Sequence, residues 1–196
     1  MASSSPYVLG IGGSPRAGGN TDLLLERAMS GAAAAGARTR TVALRELALS
    51  PCRHCDHCRE EGKCAVEDDM QWLSRELREC DFLVLASPIF FMGLTAQTKA
   101  MIDRCQVLWV IKNVLKLPVA FGGKKRRGLF ISVGGTTRSN LFRPALATVK
   151  SWFNTLDIAY GGDLLFSGVE EKGAICERPG ALEEAFGAGR RLVEGV

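Results

Sequence analysis

The chain has 196 residues, of which 46% are hydrophobic and 23% charged, and its formal net charge at pH 7 is +4. This is the composition of an ordinary globular protein, and it excludes collagen-like, low-complexity and disordered chains. The length predicts a single domain spanning residues 1–196 with a core of its own. Charges of both signs are dispersed along the chain, which argues against nucleic acid as a partner. The one dense basic run, residues 124–127, is interpreted as a solvated loop.

The apolar runs and the first residues of the sequence indicate in which cellular compartment we expect the protein. No apolar run approaches the roughly 20 residues that a membrane helix needs, so we expect no membrane partner. The first residues carry neither a charged nor an apolar signal region, so we expect a cytoplasmic protein. In a reducing cytoplasm, the seven cysteines indicate metal or redox chemistry rather than disulfides.

Apolar runs and helical patterns alternate along the chain. Buried strands are predicted at residues 7–11, 82–86, 129–133 and 164–166, and an edge strand at residues 38–44. Helices are predicted from the capping residues 20–22 to Gly36, and at residues 68–79, 95–108, 144–156 and 182–193. This alternation predicts an α/β fold, with a parallel sheet covered by helices on both faces. Such sheets bind ligands beyond the carboxyl ends of their strands, so the segments after the strands are the candidate sites.

A glycine-rich turn, residues 12–21, joins the first strand to the first helix. Its glycines allow the backbone to approach an anion closely. Ser14, Asn20 and Thr21 offer side-chain donors, and Arg16 offers a cation suited to phosphate. The turn lacks the lysine of a P-loop and the third glycine of the dinucleotide fingerprint. The sequence therefore predicts a phosphomonoester site, with a tight capped turn as the alternative.

The run GSPRxxGNT at residues 13–21 resembles the FMN phosphate loop of the flavodoxin-like NAD(P)H-dependent FMN reductase superfamily. The resemblance extends from about Tyr7 to the C-terminal helix. It implies a flavodoxin-like three-layer sandwich whose five-stranded parallel sheet has the order 2-1-3-4-5. It also implies FMN as a cofactor and NAD(P)H as a candidate electron donor.

Two further segments are suited to a flat ring. One follows the strand at residues 82–86 and consists of Pro88, Ile89, Phe90, Phe91, Met92 and Gly93. Aromatic rings and a thioether favour stacking against a polarisable ring, although a single Phe could instead be packed in the core. The other is Gly134 and Gly135, a pair equally typical of a simple turn. The resemblance implies that both segments line the isoalloxazine, with Phe90 in place of the tyrosine usual in the family.

The most specific motif is a cysteine cluster in a loop at about residues 51–65. Cys52, Cys55, Cys58 and Cys64 have the spacing C-x₂-C-x₂-C-x₅-C, which lets one short loop hold a cuboidal iron–sulfur cluster. Zinc sites more often use two widely separated pairs of cysteines, so the compact spacing favours the cluster. Zinc and uncoordinated thiols remain the alternatives. The spacing resembles that of the iron–sulfur flavoproteins, a branch of the same superfamily, which implies a [4Fe–4S] cluster. The remaining cysteines, Cys80, Cys105 and Cys176, are interpreted as small core residues.

Together these motifs predict an FMN-dependent oxidoreductase or electron-transfer flavoprotein that carries FMN and a [4Fe–4S] cluster. Its chemistry would take place at the flavin, with no catalytic side chain. The alternatives are a cluster-free NAD(P)H-dependent FMN or quinone reductase and a non-enzymatic electron carrier or redox sensor. Expected partners are a small-molecule or ferredoxin-like electron donor or acceptor. The resemblance implies a homodimer or homotetramer, and the apolar residues 107–123 are interpreted as a subunit contact or a lid.

Overall fold

Five parallel strands form the central sheet in the order β2-β1-β3-β4-β5 in a computed structural model that describes residues 5–123 and 125–195. The strands are β1 (Tyr7–Gly12), β2 (Arg38–Ala43), β3 (Phe82–Ala86), β4 (Arg126–Gly134) and β5 (Ile158–Ser167). The helices are α1 (Asn20–Ala34), α2 (Cys58–Glu61), α3 (Met70–Glu79), α4 (Ala96–Arg104), α5 (Gln106–Asn113), α6 (Arg143–Thr155) and α7 (Ala181–Glu194). Short 3-10 turns lie at Leu44–Glu46, Phe121–Gly123 and Ala174–Glu177. The predicted flavodoxin-like fold and strand order are confirmed.

The sheet has an apolar core on each face because successive strand side chains point in opposite directions. On one face, Leu9, Leu83 and Phe130 pack against α3, α4, α5 and α6. On the other face, Val8 and Val84 pack against α1 and α7. The central strands are buried on both faces, which explains their continuous apolar sequences. Among the described residues, no helix is both long and apolar enough to cross a membrane.

Helices α1 and α7 touch through glycines. A β-carbon built on Gly31 would lie 1.9 Å from the carbonyl oxygen of Phe186, and one on Gly189 would lie 1.8 Å from that of Ala28. Real β-carbons do not approach other atoms this closely, so only glycine permits this backbone contact. The contact fixes α1, whose first turn borders the candidate phosphate loop.

Three predicted elements differ from the structure. The helix predicted at residues 95–108 is two helices, because the chain turns at Cys105, whose N–H bonds to Ile102 O in a tighter turn. β5 is longer than predicted, because its first half is a polar, glycine-containing edge with a register shift opposite β4. The segment 107–123 differs in part, because Val107 and Ile111 are buried in the core, whereas Trp109, Leu117 and Phe121 are exposed. Its interpretation as a subunit contact or a lid stays a prediction.

The interpretation of the basic run 124–127 as a solvated loop is contradicted only at Arg126, which is buried. Lys125 and Arg127 are exposed, and Lys124 lies outside the described residues. Arg126 begins β4 and is 3% exposed. Its guanidinium donates to the carbonyl oxygens of Cys80 and Leu156, each at 2.8 Å, and also to that of Leu77. The solvated-loop interpretation is therefore wrong for Arg126, because three backbone carbonyl groups, rather than water, accept the hydrogen bonds of its guanidinium.

The isolated cysteines divide into two groups. Cys80 and Cys105 are buried as predicted, and burial raises the pKa of Cys105 to about 12. Cys176 is exposed, so its interpretation as a core residue is wrong. It lies on the 3-10 turn Ala174–Glu177, where the preceding Ile175 takes the buried position.

Candidate functional site

A cavity of about 780 Å³ opens at the carboxyl ends of β1, β3 and β4. Its volume is in the range of cofactor sites, roughly 300–1,000 Å³. The predicted cofactor-binding residues that line it are Ser14, Arg16, Asn20, Thr21, Pro88, Ile89, Phe90, Phe91, Met92, Gly134 and Gly135. Gly93 is not part of the lining, because it closes the turn behind the aromatic residues. The three predicted loops therefore meet at one cavity.

Some lining residues were missed by the sequence analysis. They are Arg138, Leu141, Val169 and Glu170, whereas Pro15 and Gly19 belong to the predicted loop at residues 12–21 and Val133 and Thr136 flank the predicted glycine pair. Val169 and Glu170 lie beyond β5, in a segment that carried no recognised motif. The carboxyl end of β5 was the available signal, because loops after neighbouring parallel strands meet at the same edge of the sheet.

The phosphate loop folds back on itself around Ser14. The Ser14 hydroxyl is buried, accepts from Arg16 N at 3.1 Å and donates to Arg16 O at 2.9 Å. Gly19 precedes α1, and within the described residues no side chain caps the first N–H groups of this helix. Unpaired N–H groups at a helix N-terminus favour an anion. The loop therefore offers backbone donors beside the exposed Arg16 side chain.

A second layer of polar side chains holds the phosphate loop from outside the cavity. Asp22 accepts from Gly18 N at 3.0 Å and from Arg45 Nη1 at 2.8 Å. Arg45 also donates to Ser14 O at 3.4 Å. The Asp22–Arg45 pair thus joins both ends of the loop to the turn after β2.

Asn20 makes contacts that differ from those of a simple phosphate donor. Its Nδ2 donates to Glu171 O at 2.8 Å, and its Oδ1 accepts from Gly173 N at 2.9 Å and Ile175 N at 3.3 Å. These bonds occupy the amide on both sides and tie the loop after β5 to the first turn of α1. Asn20 therefore positions the loop after β5 at the cavity, and its role as a phosphate donor stays a prediction. The predicted N-cap role also fails, because the helix begins after Gly19 and Asn20 is already helical.

The aromatic loop is a tight turn that projects from the cavity rim. Phe90 and Gly93 pair through both backbone bonds, at 2.9 and 3.0 Å. Between them, Phe91 and Met92 have φ angles of 49° and 67°, a left-handed conformation that costs roughly 1–2 kcal/mol per residue without glycine. Phe91 is fully exposed and Phe90 half exposed. Core packing is thereby excluded for both rings, which are open to a ligand.

A buried hydroxyl network joins the bases of the first two loops. Thr95 Oγ1 donates to Gly13 O at 2.6 Å and lies 2.8 Å from Thr98 Oγ1. Thr98 Oγ1 in turn donates to Ser87 Oγ at 3.4 Å. These groups are all buried, so the network fixes the loops after β1 and β3 relative to each other.

The two glycines after β4 are crowded by the chain's own side chains. A β-carbon on Gly134 would lie 2.6 Å from Leu141 Cδ2, and one on Gly135 would lie 1.8 Å from Glu170 Oε2. Leu141 is buried and has little room to move, whereas the Glu170 carboxylate is the end of an exposed, flexible side chain that can turn away. In the structure, the Glu170 carboxylate lies over Gly135 at the cavity wall.

The cysteine loop forms a second site. Cys52, Cys55, Cys58 and Cys64 line one small cavity of about 30 Å³, and all four are free thiols. Burial and then the neighbouring cysteine thiols raise the pKa of Cys58. Yet within residues 5–123 and 125–195 no group of three His, Cys, Asp or Glu side chains could hold a metal ion. The donor chemistry suits a thiolate-bound metal or cluster, whereas the sulfur positions do not form a closed ligand set.

The fold and the cavity together define a flavodoxin-like protein with a cofactor-sized site at its sheet edge. The NADPH-dependent FMN reductase family matches residues 6–160. An iron–sulfur flavoprotein of Methanosarcina thermophila is 31% identical over 156 residues, 80% of this chain and 77% of that relative. The chain therefore belongs to the NADPH-dependent FMN reductase family and to its iron–sulfur flavoprotein branch.

Two other proteins illustrate the range of the likeness. The iron–sulfur flavoprotein MJ1083 of Methanocaldococcus jannaschii is 38% identical over 124 residues, 62% of this chain and 64% of that relative. The match thus spans less than two thirds of the length of that relative. An NAD(P)H:quinone oxidoreductase structure from Methanothermobacter marburgensis has a TM-score of 0.66 at 17% identity, covering 96% of this chain and 98% of its own. This last likeness concerns the fold.

Proposed function

We propose that the chain is an FMN-dependent oxidoreductase that binds FMN in the cavity at the carboxyl ends of β1, β3 and β4. The observation that carries this proposal is the meeting of an anion-binding loop with an exposed aromatic turn in one cavity of about 780 Å³. FMN has a phosphomonoester at one end, which suits the anion-binding loop, and a flat ring at the other, which suits the aromatic turn. When bound, FMN supplies the exchange of a hydride or of single electrons.

The residues of the chain have separate tasks in this proposal. Arg16, the backbone near Ser14 and the first turn of α1 hold the phosphate. Phe90 and Phe91 offer faces for the isoalloxazine, and Gly134 and Gly135 let the backbone line its other edge. Asn20 keeps the loop after β5 against the phosphate loop. Binding and orientation are the work of the protein, and the reaction takes place at the cofactor.

Arg16→Ala is expected to weaken FMN binding about 10- to 100-fold while changing riboflavin binding little, because a charge-assisted hydrogen bond contributes about 1.5–3 kcal/mol. The Arg16 side chain is exposed and donates a long hydrogen bond of 3.4 Å to Glu170 O, so its removal should leave the fold intact. Fluorescence titration of the flavin-free protein with both ligands measures the two affinities. Arg127→Ala, an exposed arginine at the opposite end of β4, is the control. Equal losses for both ligands would show that Arg16 does not bind the phosphate.

We further propose that Cys52, Cys55, Cys58 and Cys64 hold a [4Fe–4S] cluster. The support is the compact spacing, the shared cavity and the names of the relatives. Such a cluster exchanges one electron at a time, so with FMN it would allow hydride equivalents to be split into single electrons. The cluster-free NAD(P)H-dependent FMN or quinone reductase is the second candidate, which the match to the NADPH-dependent FMN reductase family supports.

One preparation separates these candidates. Anaerobically purified protein is examined by ultraviolet–visible spectroscopy, with iron, acid-labile sulfide and zinc measured per chain. Iron and sulfide in equal amounts near four per chain support the cluster, whereas flavin without iron supports the simple reductase. Steady oxidation of NAD(P)H with a quinone indicates an enzyme. Flavin reduction only by reduced ferredoxin indicates an electron carrier.

The assembly and surroundings of the protein are also proposals. The projecting Phe91, fully exposed beside the cavity, suits a contact with a second copy of the chain in a homodimer or homotetramer. The accumulation of free thiols suits the reducing cytoplasm. Sedimentation of the flavin-loaded protein tests the assembly, and a monomer with full activity would contradict it.

A further inference from the structure

A buried arginine closes the base of the cysteine loop. Arg104, at the end of α4, is 2% exposed. Its guanidinium donates to Ser50 O at 2.8 Å and to Val66 O at 3.1 Å, the carbonyl groups on either side of the loop. It also pairs with Asp68 through two bonds of 2.6 and 3.0 Å. A single side chain thus joins both ends of the cysteine segment.

The Arg104–Asp68 pair is ionised and rigidly held. Burial opposes the ionisation of Asp68, but hydrogen bonds from Arg104 and from the backbone of Ser50 and Met70 lower its pKa. Two buried charges are costly to remove from water, and breaking such a pair costs about 3–5 kcal/mol. The fold therefore keeps the charged Arg104 guanidinium buried despite the free-energy cost of removing it from water.

Arg104 has one donor that the fold does not use. Among the described residues, its buried Nε has no hydrogen-bond partner, although Arg104 lines the cysteine cavity. The other buried arginine, Arg126, has a partner for each of its guanidinium nitrogens. A buried, unpartnered donor on a charged group requires an explanation, and a bound ion is one of them. The four motif thiols line this cavity together with the Asp56 carboxylate. The Cys64 thiol is both a hydrogen-bonding and an electrostatic neighbour of the Arg104 guanidinium.

We propose that Arg104 is a positioning residue of the cysteine site, which holds the two ends of the loop together and presents a cation to an anionic, thiolate-bound centre. The inference rests on the proposed cluster. Four thiolates give such a centre a net negative charge, and a nearby cation favours its more negative, reduced form. Arg104 thereby acts on both the retention and the reduction potential of the cluster.

Two substitutions separate the loop closure from the charge. Arg104→Lys keeps the cation but cannot reach four partners, so iron retention against a chelator should fall about 10- to 100-fold, with the potential near that of the parent. Arg104→Gln also removes the cation, so the midpoint potential of its remaining cluster should be more negative. In metal-free protein, both variants should be cleaved faster by a protease within residues 51–65. Arg126→Lys, a matched change of a buried arginine outside the cysteine cavity, should lower stability without altering iron retention or potential.

The possible outcomes distinguish this inference from the proposed cluster. A parent protein with zinc or no metal would overturn the cluster and the role of Arg104 together. A parent with iron whose Arg104→Gln variant keeps the parental potential and loop protection would overturn the role of Arg104 alone. A purely structural role would lower the stability of all three variants equally and leave the potential unchanged, which also contradicts the inference.

Discussion

Replacing Gly189 by alanine is expected to lower the free energy of unfolding by about 2 kcal/mol, although alanine is the better helix former. A β-carbon at this position would lie 1.8 Å from the carbonyl oxygen of Ala28 in α1. Because that oxygen belongs to a helix backbone, α1 and α7 must separate, and such overpacking costs up to about 3 kcal/mol. The better helix propensity of alanine offsets about 1 kcal/mol of this cost. Thermal unfolding of flavin-free protein should show a midpoint lower by about 4–8 °C.

Gly187→Ala in the same helix is the matched control. A β-carbon there would meet Arg191 Nη1 at 2.9 Å, the far end of a flexible side chain that can move away. This variant should keep or raise the unfolding midpoint, because only the gain in helix propensity remains. If both variants are stabilised equally, the backbone contact between α1 and α7 does not exist.

The sheet could be predicted from the sequence because its signal is local. The strand at Phe82–Ala86 is a short apolar run, and burial on both faces needs no more information than that run contains. The edge strand β2 showed its exposure by alternation. β5 was underestimated because Gly161 and Gly162 interrupt the apolar pattern, and Gly162 has a φ of 127°. The first half of β5 is a strand because it pairs with β4, and its own sequence has no apolar pattern that would predict this.

The site was predictable at the level of loops but not of individual contacts. The turn chemistry of residues 13–21 predicts an anion-binding loop, since this chemistry depends on neighbouring residues alone. The role of Asn20 did not follow from it, because its partners Glu171 and Gly173 are more than 150 residues away in sequence. Arg126 was misread for the same reason, since its acceptors Cys80 and Leu156 belong to other elements. Long-range polar partners leave no periodic pattern in a sequence.

The cysteine ligand set is a local motif, but its geometry depends on what it binds. Spacing places the thiols in one loop, and the structure brings them to one cavity. In small metal sites the binding free energy of the metal supplies the order of the ligands. The spacing therefore predicts which residues would bind a cluster, while Arg104, which lies outside the motif, joins both ends of the loop through Ser50 and Val66.

Replacing Cys55 by alanine is expected to abolish the iron–sulfur cluster and to leave FMN bound. Three thiolates cannot complete a site that needs four, so iron, sulfide and the broad visible absorption should all be lost. The Cys55 side chain is exposed, so its removal leaves no cavity in the core. The proposed flavin site is the cavity formed by the loops after β1, β3 and β4, and none of the four motif thiols lines it. Flavin absorption and two-electron reduction should therefore persist, while one-electron exchange with an external carrier should slow.

Cys176→Ala is the control for this experiment, because Cys176 is the other exposed free thiol in the described residues and lies outside the loop. It should retain iron and FMN in parental amounts. If Cys55→Ala loses both cofactors while Cys176→Ala keeps them, the cysteine loop supports the flavin site and the two sites are not separable. If the parent and both variants hold FMN without iron, the thiols bind no cluster and the chain is a simple FMN-dependent reductase. Loss of iron alone in Cys55→Ala assigns the two cofactors to two independent parts of the same sheet edge.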